Sequence, residues 1–137
     1  SGPGIENIYR ALCIINGTAP ASLAAAEIFR LARENADESA SETVQLFFEV
    51  LGQVAGNLAL TLGATDGIFV AGGIVRRYPE LLKASGFRSG FENKGRHRSL
   101  MERVPSSLII HEQPGLLGAS EVARRLHRQL GRQKKTT

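Results

Sequence analysis

Apolar residues recur every three or four positions over most of the chain, and this spacing is typical of amphipathic helices. The pattern predicts a first helix that ends at Asn16 and Gly17, and a second helix for which Ser22 is the N-cap. The residues predicted to face inward are Ile5, Ile8, Tyr9, Leu12 and Ile15 in the first helix, and Leu23, Ala26, Phe29 or Ile28, and Leu31 in the second.

The strongest helical pattern begins at Ser39, where Glu42 completes a capping box, and ends at Gly63. Its predicted apolar face consists of Val44, Phe47, Phe48, Leu51, Val54, Ala55, Leu58 and Leu62. Gly52 and Gly56 lie four residues apart within this helix, and a helix face without side chains lets another backbone pack closely. We therefore expect a long helix laid tightly on a sheet or on a partner helix.

Two short apolar runs have a different pattern and predict buried strands. The first covers residues 68–71 and stops at Gly72 and Gly73, and the second covers residues 107–111. Between them, residues 85–103 are polar and basic, and predict small helices and loops on the surface. Their apolar anchors are Phe87, Phe91, Leu100 and Met101. Because a helical connection joins the two strands, they should lie parallel with a right-handed crossover.

The predicted fold class is α/β, mostly helices with about two parallel strands. A last helix is predicted from residue 116 to about residue 130, with Leu116, Ala119, Ala123, Leu126 and Leu130 inward. Residues 1–130 then form the folded part and residues 131–137 a basic, flexible tail. A parallel sheet of two strands is not self-sufficient. Either further strands are hidden in the sequence, or the chain is part of a larger domain.

Composition narrows the classes of function. At 137 residues the chain is one domain or a large piece of one, and its single cysteine, Cys13, excludes an internal disulfide. The longest apolar region, residues 44–62, is interrupted by polar residues, so no membrane association is predicted. The net charge of +4 arises mainly from the end of the chain, which makes nucleic-acid binding an unfavoured hypothesis that rests on the tail alone.

The glycine pair at the end of the first strand is the main candidate for chemistry. Ligands of open α/β sheets gather beyond the carboxyl ends of the strands, and two glycines let a ligand approach the backbone. Gly72 and Gly73 are therefore a candidate nucleotide edge, and the alternative is a plain turn that binds nothing. The histidines at positions 97, 111 and 127 are interpreted as surface, packing or capping residues. Asp66 and Glu112 are interpreted as turn residues, and residues 94–98 as a solvated loop.

Several blocks of sequence, taken together and in order, resemble bacterial glucokinase. They are residues 1–4 (SGPG), 8–12 (IYRAL), 55–63 (AGNLALTLG), 68–75 (IFVAGGIV), 85–88 (SGFR), 91–96 (FENKGR) and 114–119 (PGLLGA). The resemblance covers the chain to about residue 126 and corresponds to the carboxyl-terminal portion of the family. It implies part of a lobe of the actin-like, ribonuclease H-like ATPase fold, with ATP on one side of a cleft and the hexose between two lobes.

The resemblance also implies a reaction and a set of residues. The family transfers the γ-phosphoryl group of ATP to glucose with Mg²⁺ and an aspartate base, is cytoplasmic and is commonly dimeric. Its adenosine motif matches Gly72 and Gly73, with Ala71 and Ile74 beside them. Its active-site rim matches Ser1, Gly2 and Gly4. The family's aspartate base, sugar-contacting residues and phosphate loops lie ahead of the portion matched here, so we expect no catalytic or metal-binding residue in this segment.

Three hypotheses remain at this point. In the first, the chain is an inactive part of a glucokinase that holds the adenine side of the nucleotide site and pairs with a copy of itself. In the second, it is a regulatory or dimerisation module that uses the sugar-kinase fold without catalysis, with the long third helix as its dimer face. In the third and least favoured, the basic tail binds nucleic acid.

Overall fold

The structure is a computed structural model, and it describes residues 2–133. In chain order its elements are α1 (Gly2–Ile15), α2 (Ala25–Arg33), α3 (Glu38–Leu62), β1 (Ile68–Val70), α4 (Gly73–Arg77), α5 (Pro79–Ala84), α6 (Phe87–Glu92), a 3-10 turn (Gly95–His97), α7 (Arg98–Met101), β2 (Ser106–Leu108) and α8 (Pro114–Gln133). No helix within residues 2–133 is both long and apolar enough to cross a bilayer.

The two predicted strands pair in parallel, as expected from their helical connection. In the register of the sheet Ile68 faces Ser106 and Val70 faces Leu108, and the N–H of Ile109 continues the ladder to the Val70 carbonyl at 2.9 Å. Full burial of the strands was a wrong prediction, because Phe69 is 77% exposed. Side chains alternate between the faces of a sheet, so one face packs on the core while the face that carries Phe69 is open.

Helix α3 is the central element, and α1, α2 and α6 pack around it. The core between α1, α2 and α3 is built around fully buried Phe29 and Phe48, whose rings meet edge to face with centroids 5.9 Å apart. The other buried residues of this core are Ile5, Tyr9, Cys13, Ile28, Ala32, Ala40, Val44, Val75, Tyr78 and Phe87. Gly63 ends α3 in the left-handed conformation at φ 64°, as predicted for a helix C-cap.

Three glycines let α3 and α6 approach until their backbones touch. A Cβ atom added to Gly52 would lie 1.9 Å from the carbonyl oxygen of Phe87, and one added to Gly56 would lie 2.4 Å from that of Phe91. The contact is reciprocal, because a Cβ atom on Gly90 of α6 would lie 2.4 Å from the Glu49 carbonyl oxygen. The close packing predicted from the glycine spacing is therefore confirmed, and its partner is a helix.

The predicted N-caps of α2 and α3 were each misplaced by about one half-turn of helix. Asp37, and not Ser39, is the N-cap of α3, since its carboxylate accepts the N–H of Ala40 at 2.7 Å. Helix α2 begins at Ala25 and not after Ser22, and the N–H of Ala25 donates to the Glu6 carboxylate of α1 at 3.2 Å. A cap supplied by a distant helix leaves no local sequence signal, which explains the error in α2.

Several predicted core positions lie on the surface. On α1, Ile15 is 76% exposed, while Cys13, which was not predicted to face inward, is buried. On α2, Ala26 is exposed, and both Ile28 and Phe29 are buried. Only part of the predicted apolar face of α3 is buried. Val54, Leu58 and Leu62 are exposed and belong to a row of apolar residues that are spaced four apart along the helix. We call this row the α3 stripe: Leu46, Val50, Val54, Leu58 and Leu62.

The segment of residues 85–103 forms small helices, as predicted, with residues 95–99 exposed and three of the four predicted anchors buried. Phe87, Phe91 and Met101 are each at least 94% buried, because α6 is pressed onto α3. Arg88 of α6 anchors the end of this segment, since its guanidinium donates to the carbonyls of Met101 and Val104 at 3.0 and 2.8 Å. These bonds position the chain that leads into β2.

Helix α8 differs from its prediction in two ways. Its predicted inward residues Leu116, Ala119, Ala123 and Leu126 are all exposed, because α8 packs closely on no other helix or strand of the described residues. The helix also continues to Gln133, past the predicted end at residue 130. The side chain of Leu130 and residues 134–137 of the predicted tail lie outside what the structure describes.

We predict that Gly52→Ala destabilises the protein by about 1–3 kcal/mol, because a methyl group there collides with backbone and forces α6 away from α3. Gly118→Ala on α8 is the matched control, since nothing lies within 4 Å of its added Cβ. That substitution should be neutral or stabilising by up to about 1 kcal/mol. Chemical denaturation of both variants tests this, and equal stabilities would contradict the close crossing.

Candidate functional site

Gly72 and Gly73 lie after the end of β1 and at the start of α4, and only Gly72 has a backbone conformation that favours glycine. Gly72 is the N-cap of α4 at φ 153° and ψ 151°, a conformation that residues other than glycine rarely adopt. Gly73 is the first residue of α4 and has no such backbone constraint. Nothing lies within 4 Å of a Cβ atom added to it, so at Gly73 the missing side chain leaves open space.

That open space belongs to a cavity of about 280 Å³ between α2 and α4, which we call the α2–α4 pocket. Its lining residues are Ala25, Ala26 and Phe29 from α2, and Gly73, Ile74, Arg77 and Tyr78 from the segment after β1. The structure thus brings together Gly73 and Ile74 of the predicted set. Ala71 and Gly72 lie next to them in the chain, but do not line the pocket.

Tyr78 is buried and joins the two walls of the pocket. Its ring stacks on Phe29 with centroids 4.8 Å apart and planes within 17° of parallel. The guanidinium of Arg33 lies 5.8 Å from the Tyr78 ring centre, and the Tyr78 hydroxyl donates a long bond of 3.5 Å to the Ala26 carbonyl. The stack holds α2 at a fixed distance from α4 and so sets the width of the pocket.

The wall contributed by α2 was missed by the sequence interpretation. Ala25, Ala26 and Phe29 precede the glycine pair by more than forty residues, and no local pattern links them to it. Arg77 had a usable signal, since it lies four residues after Gly73 and positions four apart share one face of a helix.

Of the predicted rim residues, Ser1 lies outside the described residues, and Gly2 and Gly4 fall in the first turn of α1. A Cβ atom added to Gly2 would lie 3.8 Å from the Cβ of Ala25. The start of α1 therefore adjoins the α2 wall of the pocket. A role of Gly2 and Gly4 at the rim of an active site stays a prediction.

The histidines and Glu112, which the sequence analysis interpreted as capping, surface or turn residues, have local contacts that fit these roles. The Nδ1 atom of His111 accepts the N–H of Gln113 at 3.0 Å, which caps the turn before α8. Glu112 is exposed and pairs with Arg76 at 3.5 Å. His97 accepts from the neighbouring Arg96 side chain at 3.3 Å, and His127 is exposed on α8.

Lys94 departs from the predicted solvated loop. Its ammonium group donates to the carbonyls of Gln53 and Gly90 at 3.0 and 3.1 Å and so bridges α3 and α6. Partial burial lowers the pKa of Lys94 from its ordinary value. The loop that begins there is anchored to the helix crossing.

Within residues 2–133 no group of three or more His, Cys, Asp or Glu side chains is placed to hold a metal ion. The pocket offers apolar and aromatic walls, which suit the binding of a flat, mostly apolar group.

Comparisons with known proteins agree with the sequence resemblance. A family model described as Glucokinase matches residues 1–126. A glucokinase of Klebsiella pneumoniae is 45% identical over 119 residues, which are 87% of this chain and 37% of that protein. A glucokinase of Pectobacterium atrosepticum is 44% identical over 126 residues, which are 92% of this chain and 39% of the relative.

A solved structure extends the comparison to the fold. The crystal structure of a glucokinase from an Antarctic psychrotroph matches with a TM-score of 0.80 at 38% identity, and the match covers 88% of this chain and 37% of that one. The described residues are thus part of an α/β sugar-kinase domain. The chain belongs to the glucokinase family, and it spans less than two fifths of the length of the relatives above.

We predict that Tyr78→Ala lowers the free energy of unfolding by about 3–5 kcal/mol, because it removes a buried ring that stacks on Phe29. Tyr78→Phe keeps the stack and loses only a long hydrogen bond, so it should cost less than about 1.5 kcal/mol. Urea unfolding of the two variants separates these contributions. Equal losses would mean that the hydroxyl, and not the ring, holds α2 against α4.

Proposed function

We propose that the chain is part of an ATP-dependent glucokinase that phosphorylates glucose to glucose 6-phosphate, and that its own contribution is the edge of the site that holds adenosine. The names of the relatives support the activity of the whole protein. The α2–α4 pocket with the open space at Gly73 is the observation that carries the adenosine assignment. The proposal includes the cytoplasmic location and the homodimer that the family resemblance implies.

The size and chemistry of the pocket favour a base over a whole nucleotide. Small-molecule sites usually enclose about 300–1,000 Å³, so a cavity of about 280 Å³ suits a single ring system. Phe29, Tyr78 and Ile74 give it aromatic and aliphatic walls. At Gly73 a purine can approach the backbone directly, because no Cβ atom intervenes.

In this proposal the segment binds the adenosine part of ATP but contributes no catalytic residue. Transfer of a phosphoryl group needs metal ions that neutralise its charge and a residue that orients the attacking hydroxyl. In the proposal, the Mg²⁺ ligands, the aspartate base and the glucose-binding side chains belong to parts of the enzyme other than residues 2–133. The segment by itself is then inactive.

The second candidate, a non-catalytic regulatory or dimerisation module, is favoured by the α3 stripe. Val54, Leu58 and Leu62 are between 50% and 76% exposed along one side of the longest helix. Apolar rows of this kind are typical of surfaces that another protein covers. Such a module would keep the sugar-kinase fold but bind no nucleotide, so nucleotide binding discriminates between the two candidates.

Calorimetric titration with Mg-ATP, with and without glucose, tests the first candidate. We expect ATP to bind the chain and Gly73→Val to abolish that binding, because the valine side chain fills the pocket without a clash that would prevent folding. Gly118→Val, also in open space but on α8, is the matched control and should bind ATP like the original chain.

Equal ATP binding by the Gly73→Val variant would contradict the adenosine assignment. No binding by the unaltered chain would favour the non-catalytic module. Glucose-dependent turnover by the chain would overturn the proposal that the sugar-binding residues lie elsewhere.

A further inference from the structure

Arg77 is the one charged residue among those that line the α2–α4 pocket. The other lining residues are alanines, a glycine, an isoleucine and two aromatic residues. A single guanidinium against such walls has two simple uses, which are stacking on a flat ring and pairing with an anion. The surroundings of Arg77 decide between them.

The neighbouring arginines differ in whether they already have a partner. The Arg76 guanidinium lies 3.5 Å from the Glu112 carboxylate, outside the pocket. Arg33 lies over the ring of Tyr78. The Arg77 side chain, in contrast, is exposed and makes no hydrogen bond or ion pair with any side chain that the structure describes, which are those of residues 2–129. Its guanidinium is free to interact with a bound molecule.

Helix geometry directs Arg77 toward the open space at Gly73. The two residues are four apart in α4, so they share one face a turn apart. Side chains of a helix lean toward its N-terminus, which brings the stem of Arg77 back over the turn that begins at Gly73. A planar group held in the pocket against Gly73 and Ile74 therefore lies within reach of the guanidinium.

We propose that Arg77 lays its guanidinium plane on the face of the purine base and thereby strengthens binding of the nucleoside part of the ligand. This inference rests on the proposed function, because it requires that the pocket holds a base. A guanidinium is weakly hydrated and planar, and it stacks favourably on aromatic rings.

A phosphate in the same position fits less well. A phosphate at the exposed Arg77 would pair with a single guanidinium, and a solvent-exposed ion pair contributes little to binding. The Tyr78 hydroxyl, the other polar side-chain group of the lining, already donates to the Ala26 carbonyl. Arg77 would be left as the only side-chain donor for an anion among the lining residues, whereas stacking on a base requires no further donor.

The test compares adenosine and ATP as ligands of the chain and of three variants, Arg77→Ala, Arg77→Lys and Arg76→Ala, by calorimetry. We expect Arg77→Ala to weaken adenosine and ATP by the same factor, about threefold to thirtyfold, because the lost contact is to the base. Arg77→Lys should recover little, since an ammonium group retains the charge but not the plane. Arg76→Ala is the matched control and should bind both ligands like the original chain.

Each other outcome overturns the inference. If Arg77→Ala weakens ATP but not adenosine, and Arg77→Lys restores ATP binding, the contact is to phosphate while the proposed function stands. If neither ligand is affected in an Arg77 variant, Arg77 has no role in binding, and the proposed function again stands. If the original chain binds neither ATP nor adenosine, the proposed function fails and the inference fails with it. Urea unfolding of each variant checks that folding is unchanged.

Discussion

The close crossing of α3 and α6 at Gly52, Gly56 and Gly90 is the contact on which the arrangement of the rest depends. It brings two backbones together with no side chains between them, so a larger residue at any of these glycines would push α6 away from α3. From α6, Arg88 holds the carbonyls of the chain that enters β2. The parallel pairing of β2 with β1 then fixes the strand end at which the glycine pair lies. A substitution that displaces α6 at this crossing is therefore expected to displace β2, β1 and the candidate site as well.

The second determinant of the site is the aromatic stack between Phe29 and Tyr78, which belongs both to the core and to the pocket. Phe29 is 1% exposed and meets Phe47 and Phe48 of α3 edge to face. Its stacking partner Tyr78 follows α4 directly in the chain. The distance between the two pocket walls is thus set by buried packing, which resists change because interiors are close-packed. A pocket built in this way is present before a ligand arrives, so little binding energy is needed to form it.

The sequence predicted the features that arise from patterns within a few residues. It did not predict features that depend on a contact with a residue far away in the chain. The glycine spacing within α3 predicted the close crossing, and the two apolar runs predicted a parallel pair of strands, because both signals lie within a few residues. The N-cap of α3 was misplaced from Asp37 to Ser39, because both residue types cap helices well and only the bond to Ala40 decides between them. The α2 wall of the pocket was not predicted at all, since no local rule relates Ala26 to Gly73. The apolar run that ends in two glycines and the family resemblance both indicated the glycine pair, but neither indicated the residues that face it.

The wrong predictions of burial share one physical origin. Phe69, the α3 stripe and the apolar residues of α8 all have the periodicity of buried faces, yet each is exposed among the described residues. Periodicity reports that a face is apolar, but it does not report which element covers that face. The relatives are more than twice as long as this chain, and an α/β domain of that size covers both faces of its sheet. The walls of the α2–α4 pocket include Phe29 and Tyr78, which belong to the core of this segment, and for that reason a binding measurement on the chain itself is informative about the pocket.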